Sequence, residues 1–304
     1  MATIKLEIDT DTEIRQGVQS SSMPTTKLLS KPMILVSTIK LSQLFRKAFQ
    51  DGANQTPLYY DGRDYDQIAA KIQQVNGTNR LIITGGGLIA FQAAQQYATQ
   101  CNFVSLVGAE PTGNIGNCYG GVSLHSFDAN SARVDYLVGL GRARAGIGLF
   151  CNAHSPITQQ EVQNWQNIAG VNQTIAYGGN MVDAQGHRHN DSSHYLNDLN
   201  GADAGITTMI ISADPFFQDT KEKLIEAANS WVALQPAGTR YVCYPFEEYS
   251  NVNGNHKPTH TTASWYGSSL EAAYGQLGTC AQLALLATSS IGFSDATTDG
   301  SGEF

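Results

Sequence analysis

Charge is what this sequence has least of. Asp, Glu, Lys and Arg make up 14% of its 304 residues, against about 25% in ordinary globular chains. The 18 basic residues are outnumbered by 26 acidic ones, leaving a net charge of −8. A generic polyanion binder or a basic membrane-surface protein needs the opposite sign, so nucleic acid is not an expected partner. Cysteine is scarce too. Cys101, Cys118, Cys151, Cys243 and Cys280 form no CxxC pair and total an odd number, which argues against a zinc ribbon and against a secreted disulfide scaffold. Most sit in apolar runs such as Tyr241-Val242-Cys243-Tyr244, where a thiol behaves as a small buried hydrophobe.

Long apolar runs are missing as well. None approaches the roughly 18–20 residues of a membrane span, and residues 1–12 alternate apolar and polar without the basic and apolar regions of a signal peptide. Membrane insertion is therefore not expected. The chain as given reads as cytoplasmic or particle-associated, and as periplasmic only if a leader has been removed. Catalytic signatures are equally absent: there is no GxSxG, no P-loop lysine and no HExxH. No enzyme is asserted by these residues, and no cofactor or metal is expected.

What the sequence does have is amide: 19 Asn and 22 Gln, giving a polar but weakly charged surface. From Pro32 onward, short apolar runs alternate with helical stretches, the pattern of parallel sheets covered by helices. Strands are predicted at 33–37, 57–60, 81–84, 103–107, 120–124, 146–151, 174–177, 207–212, 240–244 and 261–265. Helices are predicted at 41–50, 65–75, 88–99, 129–140, 157–169, 192–199, 217–234 and 269–286. The spacing of Ile68, Ile72 and Val75, and of Leu224, Ile225, Ala228 and Trp231, gives each of two helices a single apolar stripe. So many strands exceed one small sheet, and a waist falls near 126–130. The reading is an α/β chain of two similar lobes, 32–128 plus 260–288 and 129–259. A flexible N-terminal arm (1–31) and a C-terminal tail (289–304), poor in core-forming residues, flank them.

Two motifs have competing explanations. Leu81-Ile82-Ile83-Thr84-Gly85-Gly86-Gly87-Leu88-Ile89-Ala90 meets the dinucleotide-binding pattern G-x-G-x-x-A, with Glu110 placed where a ribose-binding acid is sought. A glycine-rich strand-to-helix turn looks the same without any nucleotide. His187-Arg188-His189-Asn190-Asp191-Ser192-Ser193-His194 nearly spells a metal-binding HxHxDH motif but has Ser at 192. An N-cap at Asp191 or Ser192 with exposed loop histidines is the favoured account of it. Several aromatic and polar residues, among them Tyr60, Asp61, Asn152, Asp214, Tyr244 and Tyr266, fall at C-terminal ends of predicted strands, where open α/β sheets bind ligands.

The order of these segments resembles the type I periplasmic binding protein fold, specifically the ABC-transporter substrate-binding family for aromatic amino acids and related solutes. The stretches that carry the resemblance are Ser212-Ala213-Asp214-Pro215-Phe216-Phe217, Tyr244-Pro245-Phe246-Glu247-Glu248-Tyr249 and Ser264-Trp265-Tyr266-Gly267-Ser268-Ser269-Leu270. Thr84-Gly85-Gly86, Glu110-Pro111 and Asn152 stand where the family places a Gly-Thr/Ser turn, an Asp-Pro and an Asn. The resemblance implies two Rossmann-like lobes closing over a ligand by hinge motion. Gly85, Gly86 and Glu110 would lie on one side of the cleft, Asn152, Asp214 and Tyr244 on the other, and Tyr266 near the hinge.

Departures from the family weaken transport as a role. Gly-Gly replaces the hydroxyl that would meet a ligand carboxylate, and the leader and usual opening segment are missing. Three readings result. The first is non-catalytic binding of a small polar or aromatic molecule. The second is a structural subunit of a virion or other particle, a homo-oligomer or larger assembly held through 1–31 and 289–304. The third is a dinucleotide-dependent oxidoreductase.

Overall fold

Two six-stranded sheets, each covered by helices, organise the chain. The structure is a computed structural model that describes residues 32–304, apart from 38–39, 63–64, 79, 86, 112, 153–155, 179–195, 197–198, 202–204, 213–217, 252–256, 268 and 299. The strands are β1 (Met33–Ser37), β2 (Leu58–Asp61), β3 (Leu81–Thr84), β4 (Phe103–Val107), β5 (Cys118–Ser123), β6 (Ile147–Asn152), β7 (Ile175–Gly178), β8 (Thr208–Ile211), β9 (Tyr241–Tyr244), β10 (Ala263–Gly267), β11 (Gly292–Asp295) and β12 (Gly300–Glu303). The helices are α1 (Gln43–Ala53), α2 (Tyr65–Val75), α3 (Gly87–Tyr97), α4 (Phe127–Gly139), α5 (Pro156–Gln166), α6 (Gln218–Ala233) and α7 (Leu270–Leu286). The helix predicted at 192–199 lies largely outside the described residues.

The first sheet runs β2-β1-β3-β4-β5-β11 and the second β7-β6-β8-β9-β10-β12. Both orders follow the same doubly wound scheme, in which the chain starts in the interior, winds to one edge and then reverses. All pairings are parallel except β10 with β12. A parallel sheet buried on both faces needs near-continuous apolar strands whose side chains alternate in direction, and β1 and β3 show this directly. Ile34, Val36 and Ile82 pack with Ile68, Ile72 and Phe91 on the α2/α3 side. Met33, Leu35 and Ile83 pack with Phe49, Leu277 and Ala281 on the α1/α7 side. In the second sheet Ile147, Leu149, Ile210 and Tyr241 meet Val134, Leu137 and Trp165 of α4 and α5. Phe150, Met209, Ile211 and Val242 face Leu224, Ala228 and Trp231 of α6.

Helices α1 and α7 cross with their backbones in contact. A methyl group at Gly278 would overlap the carbonyl oxygen of Phe49, and one at Gly52 would overlap that of Gly275. Serine side chains cap α1, α4 and α7: Ser42 accepts from the Phe45 amide at 3.2 Å, Ser126 from Ala129 at 3.1 Å and Ser269 from Ala272 at 3.0 Å.

The chain passes between sheets three times: from β5 to α4, from β10 to α7, and from β11 to β12. β5 ends at Ser123 and α4 begins at Phe127, while β10 ends at Gly267 and α7 begins at Leu270. Each crossing spans only a few residues and leaves from the C-terminal end of a strand. A helix that precedes or follows a parallel strand runs back along the sheet, so both α4 and α7 start at a C-terminal sheet edge. The C-terminal edges of the two sheets therefore face one another across the crossings.

Two segments differ from their sequence-based assignments. Residues 260–288 were expected in the first lobe, but β10 pairs with β9 in the second sheet and only α7 lies against the first. Residues 289–304 were expected to be a flexible tail. They instead form β11, which pairs with β5 from Gly292↔Gly120 to Asp295↔Ser123, and β12, which pairs with β10 from Ser264↔Glu303 to Gly267↔Gly300. Ladder hydrogen bonds hold the segment together with a few apolar anchors: Ala296 is buried, and Ile291, Phe293 and Phe304 pack against the cores. Gly300 and Gly302 lie against the ring of Trp265.

Candidate functional site

In an open α/β sheet the crevice lies outside the carboxyl ends of the strands, where the winding order reverses. That point falls between β1 and β3 in the first sheet and between β6 and β8 in the second. At the first, Thr84 is buried and its hydroxyl donates to Ser105 at 2.6 Å. Gly85 follows immediately. Its amide donates to the carbonyl of Val36 at 2.9 Å, and its own carbonyl accepts from the Tyr274 hydroxyl on α7. A Cβ at position 85 would stand 3.0 Å from the Tyr274 ring and 3.2 Å from Leu35. Close packing thus accounts for glycine here, with α3 starting two residues later.

Gly86 lies outside the described residues. Glu110 is exposed in the turn after β4. Asn152 is the last residue of β6, and Asp214 lies outside the described residues, three positions beyond the end of β8. Tyr266 is half-buried near the end of β10, next to the second crossing, with its ring stacked on Tyr136 of α4 at 4.9 Å. The histidines at 187, 189 and 194 also lie outside the described residues. Among the described residues, no group of three or more His, Cys, Asp or Glu side chains is placed to hold a metal.

Tyr244 is a correction. Expected on the cleft wall, it is 1% exposed and packs against Tyr249 at 4.6 Å and Phe304 at 5.6 Å between ring centroids. Phe246 extends the cluster to His125, 6.4 Å away. This aromatic run at a strand end covers the core beside the crossings, and Glu248 from the same segment accepts from the Leu270 amide at 3.0 Å, capping α7. Burial pushes the Tyr244 phenol far above its ordinary value, so it stays neutral.

A polar constellation that the sequence reading did not single out sits at the same edge of the second sheet. Arg133 on α4 is 1% exposed. Its Nε donates to the Tyr266 carbonyl at 2.8 Å, and its terminal nitrogens donate to Asn130 Oδ1 at 2.9 Å, His125 Nδ1 at 3.0 Å and the Leu124 carbonyl at 3.2 Å. Because arginine only donates, His125 Nδ1 is the acceptor. Burial and then the Arg133 charge hold His125 well below its ordinary pKa, so it is neutral. Glu161 on α5 is 3% exposed and near Ser212, Arg133 and Asn130. Burial raises its carboxyl to about 7, against the opposing pull of the Ser212 hydrogen bond and the Arg133 charge. The signal for Glu161 was its spacing: positions 161 and 165 lie one turn apart on α5, and Trp165 is buried, so a carboxylate there is aimed inward.

With this geometry in view, comparison with solved structures gives the fold a name. A ligand-free, open substrate-binding protein with adhesive properties from Clostridium difficile is 14% identical, with 88% of this chain and 90% of that chain covered at a TM-score of 0.50. GanP, a glucose-galactose binding protein from Geobacillus stearothermophilus, is 9% identical, with 89% and 96% covered at 0.53. The transcription regulator CcpA of Lactococcus lactis is 10% identical, with 89% and 98% covered at 0.54. No family model matches the chain, and no curated protein matches it. The chain has the type I periplasmic binding protein fold, the fold of ABC-transporter substrate-binding proteins. Transporter subunits and a gene regulator share it, so the fold by itself does not select a role.

Proposed function

We propose that this chain binds a small molecule between its lobes, without chemistry, and that lobe movement is the response. The observation that carries the reading is the repeated strand order, which sets two reversal points at edges that face each other across three short crossings. A ligand there touches both lobes at once, the requirement for hinge closure. On this reading Gly85, Gly86 and Glu110 serve from the first lobe, Asn152 and Asp214 from the second, and Tyr266 stands beside the hinge. The ligand is a small polar or aromatic molecule. Sugars belong among the candidates because a similarly folded protein is described as binding glucose and galactose.

The reading as an assembly subunit is less well supported, since residues 289–304, one of its two contact segments, are paired within the chain's own sheets. The test is thermal unfolding against amino acids, nucleosides and sugars. A ligand at a hundred times its Kd adds about 2.7 kcal/mol, and Asp214→Ala is expected to abolish that gain. A complete screen without any stabilising compound would sink the proposal.

A further inference from the structure

We propose that the first crossing bends at His125 and that Arg133, reaching back from the second lobe, latches this pivot. The anchors on either side leave little backbone free. Leu124 directly follows β5, and its amide donates to the carbonyls of Val107 and Gly108 at 3.0 Å. The His125 amide donates to the Gly108 carbonyl as well. Both residues are therefore fixed to the edge of the first sheet, at the end of β4. Ser126 already belongs to the second lobe, since its side chain caps α4 through the Ala129 amide. A rotation of one lobe against the other must be taken up here by the few backbone torsions between the His125 amide and Ser126.

Arg133 acts across this point. From α4 it donates to the Leu124 carbonyl and to His125 Nδ1, both on residues anchored to the first lobe. Its other two bonds stay within the second lobe. They go to Asn130, one turn earlier on α4, and to the carbonyl of Tyr266, directly before the second crossing. Tyr266 is itself stacked on Tyr136 of α4, so the latch stands on a firm base. The space is fitted to the guanidinium as well: a Cβ on Gly267 would come within 3.1 Å of Arg133 Nη2 and overlap the Pro245 carbonyl.

Turning the pivot withdraws Leu124 and His125 from the guanidinium. At 1% exposure Arg133 has no water in reach to replace them, so the turn strands charged donors in the interior. The arrangement with all four bonds made therefore lies in a narrow well, and the ligand-free chain holds one relative placement of its lobes. A ligand that moves the lobes must bind the turned arrangement better by at least the strength of the latch. The latch deepens the hinge part of the binding proposal, and its test needs no ligand, so the two can fail separately.

The experiment is a spin-label distance measurement on the ligand-free full chain carrying Gln73→Cys on α2 and Ser230→Cys on α6, both exposed positions in different lobes. The five native cysteines are buried, so the introduced thiols label selectively. Native Arg133 is expected to give one narrow interlobe distance, and Arg133→Met a broadened distribution or a second distance. Val104→Ala, in the buried core of the first lobe, destabilises the fold without touching the latch and is expected to keep the narrow distribution. An Arg133→Met distribution that matches the native one overturns the proposal, as does equal broadening in Val104→Ala. If Arg133→Met does not fold, Arg133→Lys decides. One ammonium cannot reproduce the fork that serves both crossings, so broadening is expected there too, and an unchanged distribution overturns the proposal.

Discussion

The hydroxyl of Tyr274, in the first turns of α7, donates to the main-chain carbonyl of Gly85, at the exit of β3. The glycine turn at the edge of the first sheet is thus held from beneath by a ring that itself stacks on Phe45 of α1, 5.4 Å away. Tyr274→Phe keeps the ring and removes the donor, leaving a carbonyl unpaired in the interior. A loss of about 1–3 kcal/mol is expected in urea unfolding. A smaller loss than from a surface Tyr→Phe would show that water replaces the bond.

Stability should also carry the signature of Glu161. Its carboxyl titrates at about 7 in the folded chain against 4.5 as its ordinary value, so the folded state holds the proton more tightly. The stabilisation is complete below about pH 4.5 and is lost as the pH rises through about 7, a change of order 3 kcal/mol. Glu161→Gln lacks this dependence. The quantity to follow is the difference in unfolding free energy between the two proteins at several pH values. A flat difference would show that Glu161 titrates normally.

The crossing of α1 and α7 leaves no room for side chains at its centre. Gly278→Val forces the helices apart, because its Cβ would overlap the Phe49 carbonyl. Overpacking of this kind costs about 1–3 kcal/mol or more. Exposed Gly139, where a Cβ meets nothing within 4 Å, provides the comparison: Gly139→Ala should leave the melting temperature nearly unchanged, within about 0.5 kcal/mol.

Removal of residues 300–304 takes away β12 and the ring of Phe304. Trp265 loses the strand that lies against its indole, and Tyr244 loses one of its ring contacts. A red shift of tryptophan emission and a lower melting temperature are expected, since Trp165 and Trp231 remain fully buried and report no change. Unaltered emission would mean that β12 does not cover Trp265.

Much of this architecture is legible in the residues. Met33–Ser37, Leu81–Thr84 and Phe103–Val107 coincide with their predicted limits because a strand buried on both faces is a short apolar run bounded by polar or glycine residues. Gly292–Asp295 and Gly300–Glu303 were not legible, since edge strands of glycine, serine and acids with a single apolar residue, Phe293, carry no pattern. Their placement depends on partners some 170 and 40 positions away. Among the candidate site residues, Tyr244 was misplaced for a similar reason. An aromatic at a strand end is ambiguous between cleft and core, and Tyr249 and Phe304 decide it here. Arg133 went unnoticed because two of its four partners are backbone carbonyls, and no sequence motif joins it to the others, Asn130 and His125.

The pairing of β11 and β12 with different sheets also constrains how the protein is made. Until residues 292–303 have left the ribosome, β5 and β10 each present an unpaired flank, so the nascent chain carries two open β edges at once, the surfaces through which unfinished chains stick to one another. Neither half can be cut out as an autonomous fragment with its sheet complete. Expression yield should therefore be unusually sensitive to changes in these last strands, even where the mature protein tolerates them.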